Sequence, residues 1–326
     1  MTDRRIALEK ALRPVPLHTC RITYAEDASP MTHHVTIRTE GKGIANIIRL
    51  FPGIDLSYWQ ILASSVSFAH ESSHDALELT FCRSGRAGWT LKNGLVSYVG
   101  AGATSAHTMD CCAQSAMSLP LGYFEGVSLT IHFPMLPDIC LDIMHSAGSS
   151  ANELLHKYGT IPVVLPPDPE TDRIFSSMYD TPEPFQLAAC KLAALELLLY
   201  LIRADIRIRA AQPVCDTHQA ELIQEIHDVM TTNLDKRYTI EELAKAYFIN
   251  TSSLKAAFKA VYGLPIAAYM RSYRIRQSMK LLQTTDDSIA AISAAVGYET
   301  QGKFTKAFKD ATQLLPREYR KKYRNG

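Results

Sequence analysis

From Val35 to Phe133 the chain alternates short apolar stretches with Gly, Ser and Pro: "ANIIRLF", "ALELTFC", "GWTLKNGLVSYV" and "GVSLTIHF". Runs of this length predict strands, and Asn93-Gly94 between two of them predicts a hairpin, so the segment reads as a small all-β sandwich or barrel. After Pro134 the apolar spacing becomes helical. "DICLDIMHSAG", "ANELLHKYG" and "ETDRIFSSMYD" predict short helices, and "PEPFQLAACKLAALELLLYLIRADIRIRA" one of about five turns. Leu187, Leu195, Leu198 and Ile202 are among the apolar positions of that long helix. Its apolar surface is too broad for one seam, so it can cover the β unit on one side and a second subunit on the other. Pro213 in "AAQPVCDTHQ" discourages a continuous helix and marks a linker over 211–219.

The last third is helical throughout and repeats itself. Shifting Thr251–Tyr269 by 50 residues lays it without gaps on Gln301–Tyr319, with five of nineteen positions identical: Ala257/Ala307, Phe258/Phe308, Lys259/Lys309, Leu264/Leu314 and Tyr269/Tyr319. Each copy comes after a short helix and a turn. Thr239 with Glu242 predicts a capping box opening "IEELAKAYF", and Asn250 or Thr251 caps the helix after it. In the second copy Asp287 or Ser288 opens "IAAISAAV", Gly297 supplies the left-handed end and Thr300 caps the next helix. At the fixed shift Ala244 and Ala294 coincide, small residues where one helix can cross another. Two helix-turn-helix units are therefore expected, at about 240–261 and 289–312. "IAAYMRSYRIRQSMKLL" joins them as a helix, burying Tyr269, Tyr273 and Met279 and leaving Arg271, Arg274 and Lys280 to solvent or phosphate.

Charge changes the picture. The whole chain carries a formal charge of only +1. Residues 219–326, however, hold ten Lys and seven Arg against eleven acidic residues, a balance of +6, which leaves −5 for residues 1–218. Only the last third is suited to a phosphate backbone. The seven cysteines form no C-x-x-C pair, which gives no support to a zinc finger. "MTDRRIALEKALRP" does not have the form of a secretory signal, and Leu187–Ile202 is too short and too charged to span a bilayer, so a cytoplasmic protein without membrane attachment is expected.

The segments "TIEELAKAYFINTSSLKAAFKAVYGLPIAAYMRSYRIRQSMKLL" and "SIAAISAAVGYETQGKFTKAFKDATQLLPREYR" together resemble the AraC/XylS family of bacterial transcription regulators, over about 100 residues from Leu222 to Tyr323. The "VGY" turn and the "FTKAFK" helix ending in "P-x-x-YR" carry most of the likeness. Gln313 departs from it, standing where the family commonly has the glycine that Gly263 supplies in the first copy. The N-terminal half resembles, less specifically, the cupin-like effector domains of that family. The fold class expected is α+β: a cupin-like β-barrel over 1–135, a helical dimerisation or packing segment over 136–210, the linker, and an all-α tandem helix-turn-helix domain over 220–326.

The exposed face of the first recognition helix would carry Ser252, Lys255 and Ala256; that of the second, Gln301, Gly302, Lys303, Thr305 and Lys306. The resemblance marks the same positions as base-facing. Gln suits adenine and Lys suits guanine acceptors, while Leu254, Phe258, Phe304 and Phe308 belong to the core. Gly302 is the odd member, since it weakens a helix and has nothing to read with. The resemblance further implies an effector-responsive activator, a homodimer that works with RNA polymerase on double-stranded promoter DNA. Its small-molecule effector would sit in the barrel near Phe81, Trp89 and Tyr98.

Other chemistry gets less support. His70, His74 and Glu78 in "HESSHDALE" lack the H-x-H pair of metal-binding cupins. Cys111 and Cys112 are candidates for redox or metal sensing, with small buried apolar residues as the alternative. His33 and His34 are adjacent in an extended segment and would face opposite ways. No G-x-S-x-G elbow and no phosphate loop occur. No cofactor and no catalytic residue is expected, and a metal-dependent cupin enzyme is the rival reading.

Overall fold

The computed structural model describes residues 4–24, 36–69, 73–91, 93–110, 112–159, 162–206 and 215–324. His33, His34, His70, Cys111, the Cys112 side chain and residues 211–214 of the expected linker lie outside the described set. The chain divides into two compact units that meet at 217/218.

The first unit opens with α1 (Arg4–Ala11). It continues through β1 (Thr19–Tyr24), β2 (Thr36–Thr39), β3 (Lys42–Phe51), β4 (Ile54–Leu62), β5 (Ser65–Ala69), β6 (Ala76–Leu91), β7 (Leu95–Gly100), β8 (Thr104–Thr108), β9 (Cys112–Ser118) and β10 (Phe124–His132). Then come α2 (Asp138–Ser146), α3 (Ala151–Gly159), β11 (Val163–Leu165), α4 (Pro169–Asp180), α5 (Gln186–Arg203) and β12 (Cys215–Asp216). The expected hairpin joins β6 to β7, with Gly94 at φ 78°. Strand β6 is long enough to serve two sheets. Its first half pairs with β10 and β8, its second half with β7 and β9. The change of partner falls at Gly85, φ 92°, where a Cβ would stand 2.3 Å from the Tyr123 carbonyl oxygen. A side chain there is excluded twice over, and the result is a nearly closed, barrel-like sheet.

Helices cover one face of that sheet. Leu56, Leu77, Leu79, Phe81, Leu129 and Ile131 share a core with Phe175 of α4 and Leu197, Leu198 and Leu201 of α5. Each fully buried side chain of this size contributes about 1.5–3 kcal/mol. The opposite face of α5 carries Phe185, Leu192 and Leu199 at 67%, 69% and 41% exposure. These three are seven residues apart, a single heptad position repeated along the helix, while Leu195 and Ile202 pack against the core. Cys215 and Asp216 pair with β7 and a helix starts at Thr217, so the end of the segment expected as linker is regular structure.

The second unit contains α6 (Thr217–Thr232), α7 (Ile240–Ala246), α8 (Thr251–Tyr262), α9 (Ile266–Thr284), α10 (Ile289–Ala295), α11 (Gln301–Thr312) and α12 (Pro316–Tyr323). Among the described residues no helix is long and apolar enough to cross a membrane.

Candidate nucleic-acid interface

The caps read from the sequence set the helix starts. Thr239 and Glu242 form a reciprocal capping box on α7, and the side chains of Asn250, Ser288 and Thr300 accept from the backbone N–H groups of Ser253, Ala291 and Lys303. Caps of this kind are worth about 1 kcal/mol each. Each recognition helix then buries one face: Leu254 and Phe258 on α8, Phe304 and Phe308 on α11, all four fully buried. Helix α9, 19 residues and about 28 Å long at 1.5 Å per residue, packs against α8, α10, α11 and α12. It gives both units a common support. Tyr269 and Tyr319, equivalent in the repeat, are buried and hydrogen-bonded, to His227 Nε2 and Gln283 Nε2, both at 2.9 Å.

Two expectations are corrected. Ala294 is exposed; Ser293, buried to 2%, occupies the crossing position that Ala244 holds in the first unit. The turn after α7 spans four residues, 247–250, and that after α10 spans five, 296–300, so an extra residue slips the first helices to a shift of 49 while the second helices keep 50. Arg274 is the other correction. Its guanidinium points inward and donates to the Leu234 and Lys236 carbonyls at 3.1 and 3.3 Å, tying α9 to the α6–α7 loop. It serves the fold and is not a free cation.

On α8, Ser252, Lys255 and Ala256 are exposed, and Ser252 Oγ donates to Asn250 Oδ1 at 2.6 Å. On α11, Gln301, Gly302, Lys303 and Lys306 are exposed and Thr305 is half-buried. A Cβ at Gly302 would meet nothing within 4 Å, so the fold itself does not require glycine there. Lys303 pairs with Glu299, which also takes Arg237 at 2.7 Å; these two cations hold the Glu299 carboxyl below the usual range. Lys303 is thereby drawn toward the turn, while Lys255 and Lys306 show no ion pair among the described residues.

The three residues expected around an effector do not come together. Phe81 faces the helices and stacks on Phe175 at 4.4 Å between centroids. Trp89 lies on the other side, against the inner core and 6.1 Å from the His107 ring. Tyr98 is buried against the Arg86 guanidinium. His74 is exposed and pairs with Asp110 at 2.6 Å, apart from Glu78, which accepts from the Thr80 hydroxyl.

A family model described as a helix-turn-helix domain matches residues 243–322, from the end of α7 through α12. The arabinose operon regulatory protein of Escherichia coli is 30% identical over 132 residues, 40% of this chain and 44% of that protein. The HTH-type transcriptional activator RhaR of Pectobacterium carotovorum is 26% identical over 133 residues, 40% of this chain and 46% of that one. The region 243–322 is an AraC-type helix-turn-helix domain. The chain spans less than half the length of either curated relative. Among solved structures, the C-terminal domain of the response regulator yesN from Fusobacterium nucleatum shares 29% identity, covering 32% of this chain and 99% of that one at a TM-score of 0.29. Within this AraC-type domain, α8 and α11 are the second helices of the two helix-turn-helix units.

Proposed function

We propose that this protein is a sequence-specific DNA-binding transcription regulator, an effector-responsive activator working with RNA polymerase. One observation carries the reading: two capped helices expose polar residues from a single supporting helix, in the part of the chain that holds the +6 surplus. Recognition helices place their N-terminal residues on base edges while Lys and Arg take phosphates. In this reading Gln301 and Lys306 of α11 and Ser252, Lys255 and Ala256 of α8 face bases. Gly302 lets the backbone approach, Thr305 supports the contact, and Lys303, Lys309 and Arg317 meet phosphates. The exposed heptad-spaced Phe185, Leu192 and Leu199 support a homodimer through α5. The barrel takes a small effector, which shifts DNA affinity by no more than its difference in affinity for the two states.

The test is selection of binding sites from random duplexes, followed by affinity measurements at rising salt. Enrichment of one motif, with affinity falling steeply as salt rises, is the expected result. No enriched motif, or an affinity indifferent to salt, would contradict it.

A further inference from the structure

One buried wall of the barrel is polar. On β4, β6, β8 and β10 the side chains alternate: Leu56, Leu79, Ala106 and Leu129 enter the helix-covered core, so Ser57, Thr80, Ser105 and Ser128 point the other way. The register sets these four hydroxyls side by side, Ser57 opposite Ser128, Ser128 opposite Thr80, Thr80 opposite Ser105. By the same pairings the next row is Asp55, Thr130, Glu78 and His107. Apart from Glu78, which is half-buried, every member of the two rows is 8% exposed or less. His132 comes next on the same face of β10, 9% exposed, with no partner for its Nε2 among the described residues.

Two features of this wall select a ligand. Asp55 is neutralised by Arg49 at 3.1 Å, but Glu78 has no basic partner among the described residues and accepts only from Thr80 at 3.2 Å. Of the wall's two carboxylates, Glu78 is thus the one without a Lys or Arg partner among the described residues, and burial holds the His132 imidazole below its ordinary value. Aromatic rings adjoin it: Trp89 beside His107, and Trp59, on the inward face of β4, edge-on to Phe68 at 5.4 Å. A lone carboxylate among hydroxyls and next to indole faces suits an ammonium, through charge-assisted hydrogen bonds and cation–π attraction. A carboxylate ligand would meet like charge.

We propose that the barrel's effector is a small organic cation whose N–H groups bond Glu78 and the neighbouring hydroxyls of Thr80 and Thr130, with its hydrocarbon part against Trp89. The proposal rests on the effector-binding reading of this unit and names the ligand class and the residues that choose it. The two tryptophans are the only ones in the chain, so intrinsic fluorescence reports on this wall.

The full-length protein is titrated with benzylamine, benzyl alcohol and benzoate, near-isosteres that differ in charge, and monitored by tryptophan fluorescence and thermal midpoint. Benzylamine should quench or shift the emission and raise the midpoint, and benzoate should do neither. Glu78→Gln should weaken benzylamine roughly tenfold or more, the loss of one charge-assisted bond, while its unliganded midpoint stays near wild type. Should that variant fold poorly, Thr130→Val is expected to narrow the preference for amine over alcohol. Tighter binding of benzoate or benzyl alcohol, weakened by Trp89→Leu, would overturn the cation assignment and leave the effector reading standing. Unchanged benzylamine binding by Glu78→Gln overturns the assignment as well, and absence of binding by all three overturns both.

Discussion

The two helix-turn-helix units share caps and core positions yet place their backbone strain differently. In the first, the turn has Phe248 in the left-handed region, φ 53° and 98% exposed, while α8 ends on Gly263 at φ 80°. In the second, Gly297 takes the turn at φ 78° and α11 ends on Gln313 at φ 61°. Surroundings explain the turn. A Cβ on Gly297 would lie 2.1 Å from the Leu234 carbonyl oxygen, so that site admits only glycine, whereas the Phe248 side chain projects into solvent. The repeat keeps the buried pairs Phe258/Phe308 and Tyr269/Tyr319 and, among exposed positions, Lys259/Lys309, while the side chains that would read DNA differ between the copies.

The comparison breaks most visibly in the cores. Phe258→Ala and Phe308→Ala should each cost about 3–5 kcal/mol, measured by denaturant unfolding of the full chain. Equal losses would confirm that the two cores are equivalent in weight; a loss under about 1 kcal/mol for either would break the symmetry.

Next come the left-handed positions. Gly297→Ala should destabilise by more than the roughly 1–2 kcal/mol of a left-handed residue, because the carbonyl of Leu234 must also move. Phe248→Gly and Gln313→Gly should instead be neutral or stabilising by up to about 1 kcal/mol, relief of strain being offset by a freer unfolded chain. Thermal midpoints of the three variants settle the signs.

On DNA, Lys306→Ala and Lys255→Ala should each weaken specific binding by about 1–3 kcal/mol with little change in folding. Gly302→Ala separates stability from recognition: helix stability should rise by about 1 kcal/mol while specific affinity falls. Unchanged or improved affinity would show that glycine there is merely tolerated.

The smallest effect is a pH dependence near neutrality that arises in the core of the first unit. His227 stacks on Tyr262 at 4.6 Å, and the second core holds no histidine among its members. Burial holds the imidazole below its ordinary value of 6.5, against the opposing pull of Asp228. The folded chain thus binds this proton less readily than the unfolded one. Stability should be full above about pH 6.5 and decline as the pH falls through the lowered folded value. His227→Gln should flatten that decline in a series of melts.

Much of the second unit was legible because caps and short apolar periods are local signals. Thr239, Glu242, Asn250, Ser288 and Thr300 all cap where their spacing suggests. The slip between Ala294 and Ser293 was hidden because a fixed shift of 50 cannot show a one-residue insertion in a turn, and Arg274 looks like any surface arginine until the loop it holds is folded beside it. In the barrel, "LELTFC" shows its alternation plainly. Which half of the alternation meets helices depends on α4 and α5, nearly a hundred residues away, so Phe81 could not be assigned to the helix-covered face or Glu78 to the interior. The two-residue strand β12 is set by its pairing with β7 and has no pattern of its own.

The claim that both units read DNA from one support is tested most directly by hydroxyl-radical footprinting on a selected site. Two protected boxes about 10 base pairs apart per monomer are expected, with Lys255→Ala exposing one and Lys306→Ala the other. A single short box that responds to only one of the two substitutions would contradict it.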